Sequence, residues 1–315
     1  MLLVKKIPHQ RVAVATMPPR PELSELLGID YRRIPVLAIG NDVYCDTAII
    51  GTVLERRFPV AEGYGTLFPP RKGGGKTDTG LVKALALAWT DKMLFPLSAQ
   101  SLPWEKFDAK FLADRSAWQG VQLDPKKIAA KQDFRNSSII SQLGLLEEQL
   151  SDNREWLLDT EQPGLADISV HFILSWVRVF RTVKAIFDPE TFPKTLAWLA
   201  RVTDWLSKAQ KDDVAPVTKI TGQEAAKAIC SSPHIDSRVL VGFNEDEANR
   251  FGVKLGQMVS VTPTDNGKVP TVGTLVALNS EESVVEVRGS AGTARCHFPR
   301  LEFAVAPAEK TPSKL

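Results

Sequence analysis

Apolar and polar positions change rhythm twice along the chain. Up to about Pro59 the runs are short and mixed. Gln10–Thr16 alternates like a half-buried strand, Pro21–Leu27 has the length of a short helix, and Ile34–Ile39 is a short apolar strand. Gly40-Asn41-Asp42 carries the turn residues of a hairpin leading into Val43-Tyr44-Cys45. Ile50, Val53, Leu54 and Phe58 then recur at helical spacing, with Asp46 or Thr47 as N-cap and Pro59 as the stop. From Leu81 to about Ala209 the period is helical, in runs over Leu81–Phe95, Asp133–Leu150, Asp167–Phe180 and Thr195–Ala209. Beyond Arg238 alternation returns. Strands are predicted at Val239–Phe243, Gln257–Thr262, Thr271–Leu278, Ser283–Arg288 and Thr293–Phe298, with turns such as Asp265-Asn266-Gly267 between them.

These rhythms predict an α+β multidomain protein. It divides into an α/β segment over 1–60, a linker over 61–80, an all-α domain over 81–210, a helical linker over 211–237, a small SH3-like β-barrel over 238–305 and a disordered tail over 306–315. The 315 residues suffice for real cores without disulfide or metal staples. Thirty-nine Lys and Arg against 37 Asp and Glu leave a net charge of +2, which offers a polyanion no long-range steering and argues against nucleic acid. Every apolar run falls well short of the roughly 20 residues of a membrane span. Met1-Leu2-Leu3-Val4 meets Lys5 and Lys6 too soon for a secretory signal, so the expectation is a soluble, intracellular protein without membrane partners.

Candidate chemistry is sparse. Gly73-Gly74-Gly75-Lys76-Thr77 invites comparison with a phosphate loop, but the first glycine of that pattern falls on Pro70 and no apolar strand feeds it, so it reads as linker. Cys45, Cys230 and Cys296 lie far apart, with neither zinc-ligand spacing nor a disulfide framework. Cys45 sits on a predicted central strand and reads as a small core residue. His9, His171, His234 and His297 are isolated in sequence, and no metal site or Ser-His-Asp grouping stands out. The seven tryptophans fall between Trp89 and Trp205, as one large helical core would place them.

Two motifs in the first segment carry a resemblance. Tyr31-Arg32-Arg33-Ile34-Pro35-Val36-Leu37, a hairpin, and then Asp46-Thr47 opening a helix resemble the glutathione-transferase form of the thioredoxin fold. The helical segment agrees, since Pro163-Gly164-Leu165-Ala166-Asp167-Ile168 resembles that family's buried helix start. There a Ser or Thr three residues before Asp completes a capping box; here Gly164 leaves only the structural cap at Asp167. The similarity spans about Gln10 to Ala209 and is nearest to fungal glutathione-transferase-like proteins with a C-terminal β extension.

The resemblance implies a cis peptide at Ile34–Pro35, with the Ile34 backbone pairing the cysteinyl part of glutathione. It also implies that Asp46 and Thr47 hold the γ-glutamyl end, with Arg33 contacting the backbone or glycyl end. A helix N-terminus beside an acidic residue suits an α-carboxylate and its α-ammonium. The family's catalytic Ser, Tyr or Cys follows a first strand, whose position here would lie N-terminal to Met1; the thioredoxin-like subdomain is therefore expected to be incomplete, with no catalytic residue. Implied further are glutathione as co-substrate, a small hydrophobic electrophile, conjugation or isomerisation in fungal secondary metabolism, and a homodimer. The alternative is a non-catalytic dimeric binding or scaffold protein. Ser313-Lys314-Leu315 matches a peroxisomal address, which predicts an import receptor as partner and the peroxisome, rather than the cytoplasm, as location.

Overall fold

A two-residue turn at Gly40-Asn41 folds the chain back on itself, and the hairpin so formed heads a seven-stranded sheet in the computed structural model. The structure describes residues 1–212 and 216–308. Its strands are β1 (His9–Arg11), β2 (Val36–Ile39), β3 (Asp42–Cys45), β4 (Val217–Lys219), β5 (Met258–Pro263), β6 (Thr271–Leu278), β7 (Glu282–Gly289), β8 (Gly292–Pro299) and β9 (Phe303–Pro307). Gly40 takes a positive φ of 62°, as the first central residue of a tight hairpin turn of this kind requires.

The chain folds as two compact units. One gathers residues 10–50, 113–122 and Val217 onward. Its sheet runs β2-β3-β8-β7-β6-β5-β9. The strands β5 to β8 form an antiparallel meander, β9 returns beside β5, and β8 joins β3 in parallel through Asp42↔Arg295, Val43↔Cys296 and Tyr44↔His297. The C-terminal strands are thus no closed SH3-like barrel. Among the described residues β2 and β9 are the two open ends of one sheet, and β8 spends its outer edge on the hairpin. One core follows from this pairing: Leu27, Ile29, Tyr31 and Val43 pack with Val259, Leu275, Val285 and Phe298, all essentially buried.

Three predicted elements differ. Val239–Phe243 is not a strand, because Asp236 accepts from Arg238 N and opens a helical turn over Ser237–Leu240; Phe243 keeps a single bridge to Leu278. Gln10–Thr16 supplies only the end of β1, which forms a small ribbon with β4. Ala15 and Thr16 instead present their carbonyls to the Arg20 guanidinium, which also reaches Arg32 O. Ala306 and Pro307, expected in the tail, belong to β9; residues 309–315 lie outside the described residues.

The other unit gathers residues 1–9, 51–112 and 123–216 and is mainly helical. A continuous helical run covers Thr79–Gln100, widening to π turns over Leu85–Leu94, and α geometry resumes where Pro96 has no N–H to give. Helices Gln132–Gln149, Leu165–Val177 and Pro193–Asp212 pack with it around Leu143, Leu146, Val170, Leu174, Trp198 and Val202. Asp167 anchors this core. Its carboxylate accepts from Gly164 N (3.1 Å), Leu157 N (2.9 Å) and Trp198 Nε1 (3.0 Å), so only the acidic half of the capping box is present. The packing explains the glycine: a Cβ on Gly164 would stand 2.7 Å from Pro69 Cδ and 2.9 Å from Leu67 O. Burial raises the Asp167 pKa above the usual carboxylate value despite these donors.

Candidate functional site

The predicted residues come together where β2 begins and where the Thr47–Arg57 helix starts. Ile34–Pro35 is cis, as expected, and the Ile34 side chain next to it is 47% exposed. Asp46 follows β3 and turns the chain into the helix with φ 88°, a left-handed value that costs a non-glycine residue about 1–3 kcal/mol. Its carboxylate holds that turn. Oδ1 accepts from Ala48 N at 3.0 Å and Oδ2 accepts from Tyr31 OH at 3.1 Å, while the Asp46 carbonyl accepts from Ile50 N. Thr47 is the first residue of the 11-residue helix, so the N-terminus of that helix opens beside the Asp46 carboxylate.

Arg33 lies against this carboxylate. Its Nη1 is 3.6 Å from Asp46 Oδ2, which puts the guanidinium at the Asp46–Thr47 end of the site. Its Nη2 donates to Asp265 Oδ1 and, at 2.9 Å, to Asn266 O. The guanidinium also lies 5.4 Å from the centre of the Trp118 ring; Arg32 lies 5.6 Å from the same ring and pairs with Asp114 at 2.6 Å. Burial alone would lower the Arg33 pKa, but the carboxylates of Asp265 and Asp46 beside it hold the charge more firmly than usual. Burial, then the Asp46 charge, push the Tyr31 phenol far above its ordinary value, so it acts here as a neutral donor.

Sequence reasoning missed Trp118, Asp114 and Asp265 as members of this cluster. Asp265-Asn266-Gly267 was visible only as a turn, and a pairing across 232 positions leaves no local signal. Trp118 was assigned to the helical core; the Ala109–Gln119 helix instead carries it to Arg32 and Arg33.

The other candidates are structural. Cys45 is wholly buried, its Sγ 3.5 Å from Cys296 Sγ, and burial pushes its thiol well above the ordinary range. His171 Nε2 meets Thr203 Oγ1 at 2.8 Å and Ser175 Oγ at 3.1 Å, which satisfies a core histidine. His297 is not isolated in space. Its Nε2 lies 3.1 Å from Asp42 Oδ1 and its ring packs on Tyr44, a buried group without access to a ligand. No group of three or more potential metal ligands occurs among the described residues. The helical unit has a cleft of about 1040 Å³, lined by Glu55, Arg56, Phe68, Thr77 and Lys83 among others, and none of the predicted site residues lines it. No helix of the described residues is long and apolar enough to cross a membrane. Ser313, Lys314 and Leu315 lie outside the described residues.

Comparisons with known proteins bear on the fold. Residues 93–211 match a family model described as a domain of unknown function, DUF7962. No curated protein matches the chain. Among solved structures, a GST-like protein from Pseudomonas syringae aligns over 98% of this chain and 93% of its own, with a TM-score of 0.66 at 22% identity. The chain has a GST-like fold. The glutathione S-transferase Blo t 8 aligns over 60% of this chain and 71% of its own, and the glutathione S-transferase of Xylella fastidiosa over 57% and 75%. Both are 17% identical, with TM-scores of 0.39 and 0.40, a partial overlap only.

Proposed function

We propose that this chain is a glutathione transferase-like protein that binds glutathione through Ile34, Asp46 and Thr47, with Arg33 at the same end. The observation that carries the proposal is the strained turn at Asp46. A non-glycine residue held at φ 88° by its own carboxylate and by Tyr31 is retained against its cost, and it sets a carboxylate beside a helix N-terminus. An α-amino acid group fits that pair: its ammonium meets Asp46, and its carboxylate meets the Thr47 hydroxyl at the helix N-terminus and the Arg33 guanidinium. Ile34, beside the cis proline, is exposed at the same end and takes the peptide part of the ligand in this reading.

Calorimetry with glutathione tests the assignment. The wild type binds, and Asp46→Ala and Thr47→Ala each weaken binding by about tenfold or more, the scale of one charge-assisted contact. Equal binding by all three proteins contradicts the site.

The reaction proposed is conjugation or isomerisation of a small hydrophobic electrophile by a homodimer. A second reading, a binding or scaffold protein, is favoured by the state of the neighbouring nucleophiles. Tyr31 is held protonated and engaged with Asp46, and Cys45 is buried as a thiol, so neither is set up to lower the pKa of a bound glutathione thiol. A glutathione-binding protein that leaves a chloronitrobenzene electrophile unconjugated favours this second reading.

A further inference from the structure

Arg33 stands between two carboxylates from distant parts of the sequence. Asp46 Oδ2 forms an ion pair with its Nη1 at 3.6 Å, too long for a hydrogen bond, whereas Asp265 and Asn266 O take its Nη2. The turn that brings Asp265 there is fixed in place. Gly267 N donates to Trp118 O at 2.8 Å, Thr264 N donates to Glu302 O at 2.9 Å, and the Arg33 guanidinium lies over the Trp118 ring. Gly267 has φ 62°, and a Cβ there would sit 2.4 Å from the Trp118 ring, so only glycine allows the turn this close.

We infer that Asp265, from the C-terminal extension, is a positioning residue of the ligand site: by anchoring Nη2 it holds Arg33 short of a hydrogen bond to Asp46, at ion-pair distance. This rests on the proposal that glutathione binds at Asp46 and Thr47. An unrestrained arginine beside an ionised Asp46 tightens this pair into a charge-assisted hydrogen bond, and a carboxylate engaged in that way has less left for an incoming ammonium. Asp265 supplies the opposing charge. Arg33 then stays near Asp46 without capping it, placed to meet the α-carboxylate while Asp46 meets the α-ammonium. Asn266 O alone does not replace Asp265, since a neutral carbonyl binds a guanidinium less strongly than a carboxylate does. Arg32 offers no substitute, being committed to Asp114 and Trp118. The C-terminal extension thereby contributes to selection of a zwitterionic amino acid head.

The test is calorimetry with glutathione on the full chain, using wild type, Asp265→Asn, Asp265→Glu, Arg33→Gln, the Arg33→Gln/Asp265→Asn pair and Asp46→Ala. Asp265→Asn is expected to weaken binding by about tenfold, the scale of one charge-assisted contact. Asp265→Glu recovers most of the loss. In the Arg33→Gln background Asp265→Asn has no further effect, a dependence that mere loosening of the fold would not produce. Unchanged binding by Asp265→Asn, or an equal loss in both backgrounds, overturns the inference while Asp46→Ala still reports on the glutathione site. If Asp46→Ala binds like wild type, or no protein binds glutathione, the proposed function itself fails and this inference falls with it.

Discussion

The Sγ atoms of Cys45 and Cys296 lie 3.5 Å apart on neighbouring parallel strands, and both residues are wholly buried. They mark the join between β3 and β8, where the hairpin after Ile34–Pro35 meets the C-terminal strands. One residue beyond Cys45 the chain turns through Asp46 into the helix of the candidate site. The C-terminal extension is therefore part of the scaffold that holds Asp46.

That burial sets thiol reactivity. Cys230 is partly exposed, whereas Cys45 and Cys296 are sealed. Burial raises the pKa of both Cys45 and Cys230, which slows even the exposed one. A chromogenic disulfide probe is expected to titrate one thiol in the native protein and three after unfolding. Rapid reaction of all three in the native state contradicts the packed join.

A pH dependence follows from His171. Burial, then the Arg178 charge, lower its pKa below the ordinary value. The unfolded state therefore takes up the proton first. The stability that neutral His171 contributes is whole above its unfolded value, near 6.5, and is lost as pH falls through the lower folded value. The slope from this one group cannot exceed about 1.4 kcal/mol per pH unit. Denaturant unfolding from pH 7.5 to 5 is expected to show the loss in wild type and a shallower loss in His171→Gln. Parallel curves contradict it.

Gly164→Ser restores the hydroxyl that a capping box wants, yet it is expected to destabilise the protein. A new Cβ at 2.7 Å from Pro69 Cδ and 2.9 Å from Leu67 O overpacks a backbone that is itself tied by Leu165 N to Leu67 O at 2.7 Å. The cost expected is about 1–3 kcal/mol, larger than the few tenths that separate Ser from Gly as a cap. Thermal unfolding of the two proteins decides; a higher melting temperature for the serine variant contradicts the packing.

Local signals in the sequence were enough for the hairpin at Gly40-Asn41, the helix opening at Thr47 and the four long helical runs, because each is set by turn chemistry or by period. Ile34, Pro35, Asp46 and Thr47 stand out as candidates through the family resemblance of their motifs, not through turn chemistry or period. The parallel pairing of β8 with β3 was not, since strands of similar alternation carry no label of their partner. The expected barrel failed at that point: Val43 and Cys296 pair across the break between predicted domains. Val239–Phe243 misled because its apolar residues suit a strand, while the cap at Asp236 decides for a helical turn. Trp118 and Asp265 reach Arg33 only through the folded sheet and helix, and nothing in their own surroundings points to it.

The most direct measurement is a crystal structure of the protein soaked with glutathione. The account predicts the γ-glutamyl α-amino group on the Asp46 carboxylate, its α-carboxylate at the Thr47 helix N-terminus beside Arg33, and the peptide along Ile34. Glutathione bound elsewhere, such as in the cleft lined by Glu55, Arg56 and Phe68, with Asp46 left untouched, would contradict it.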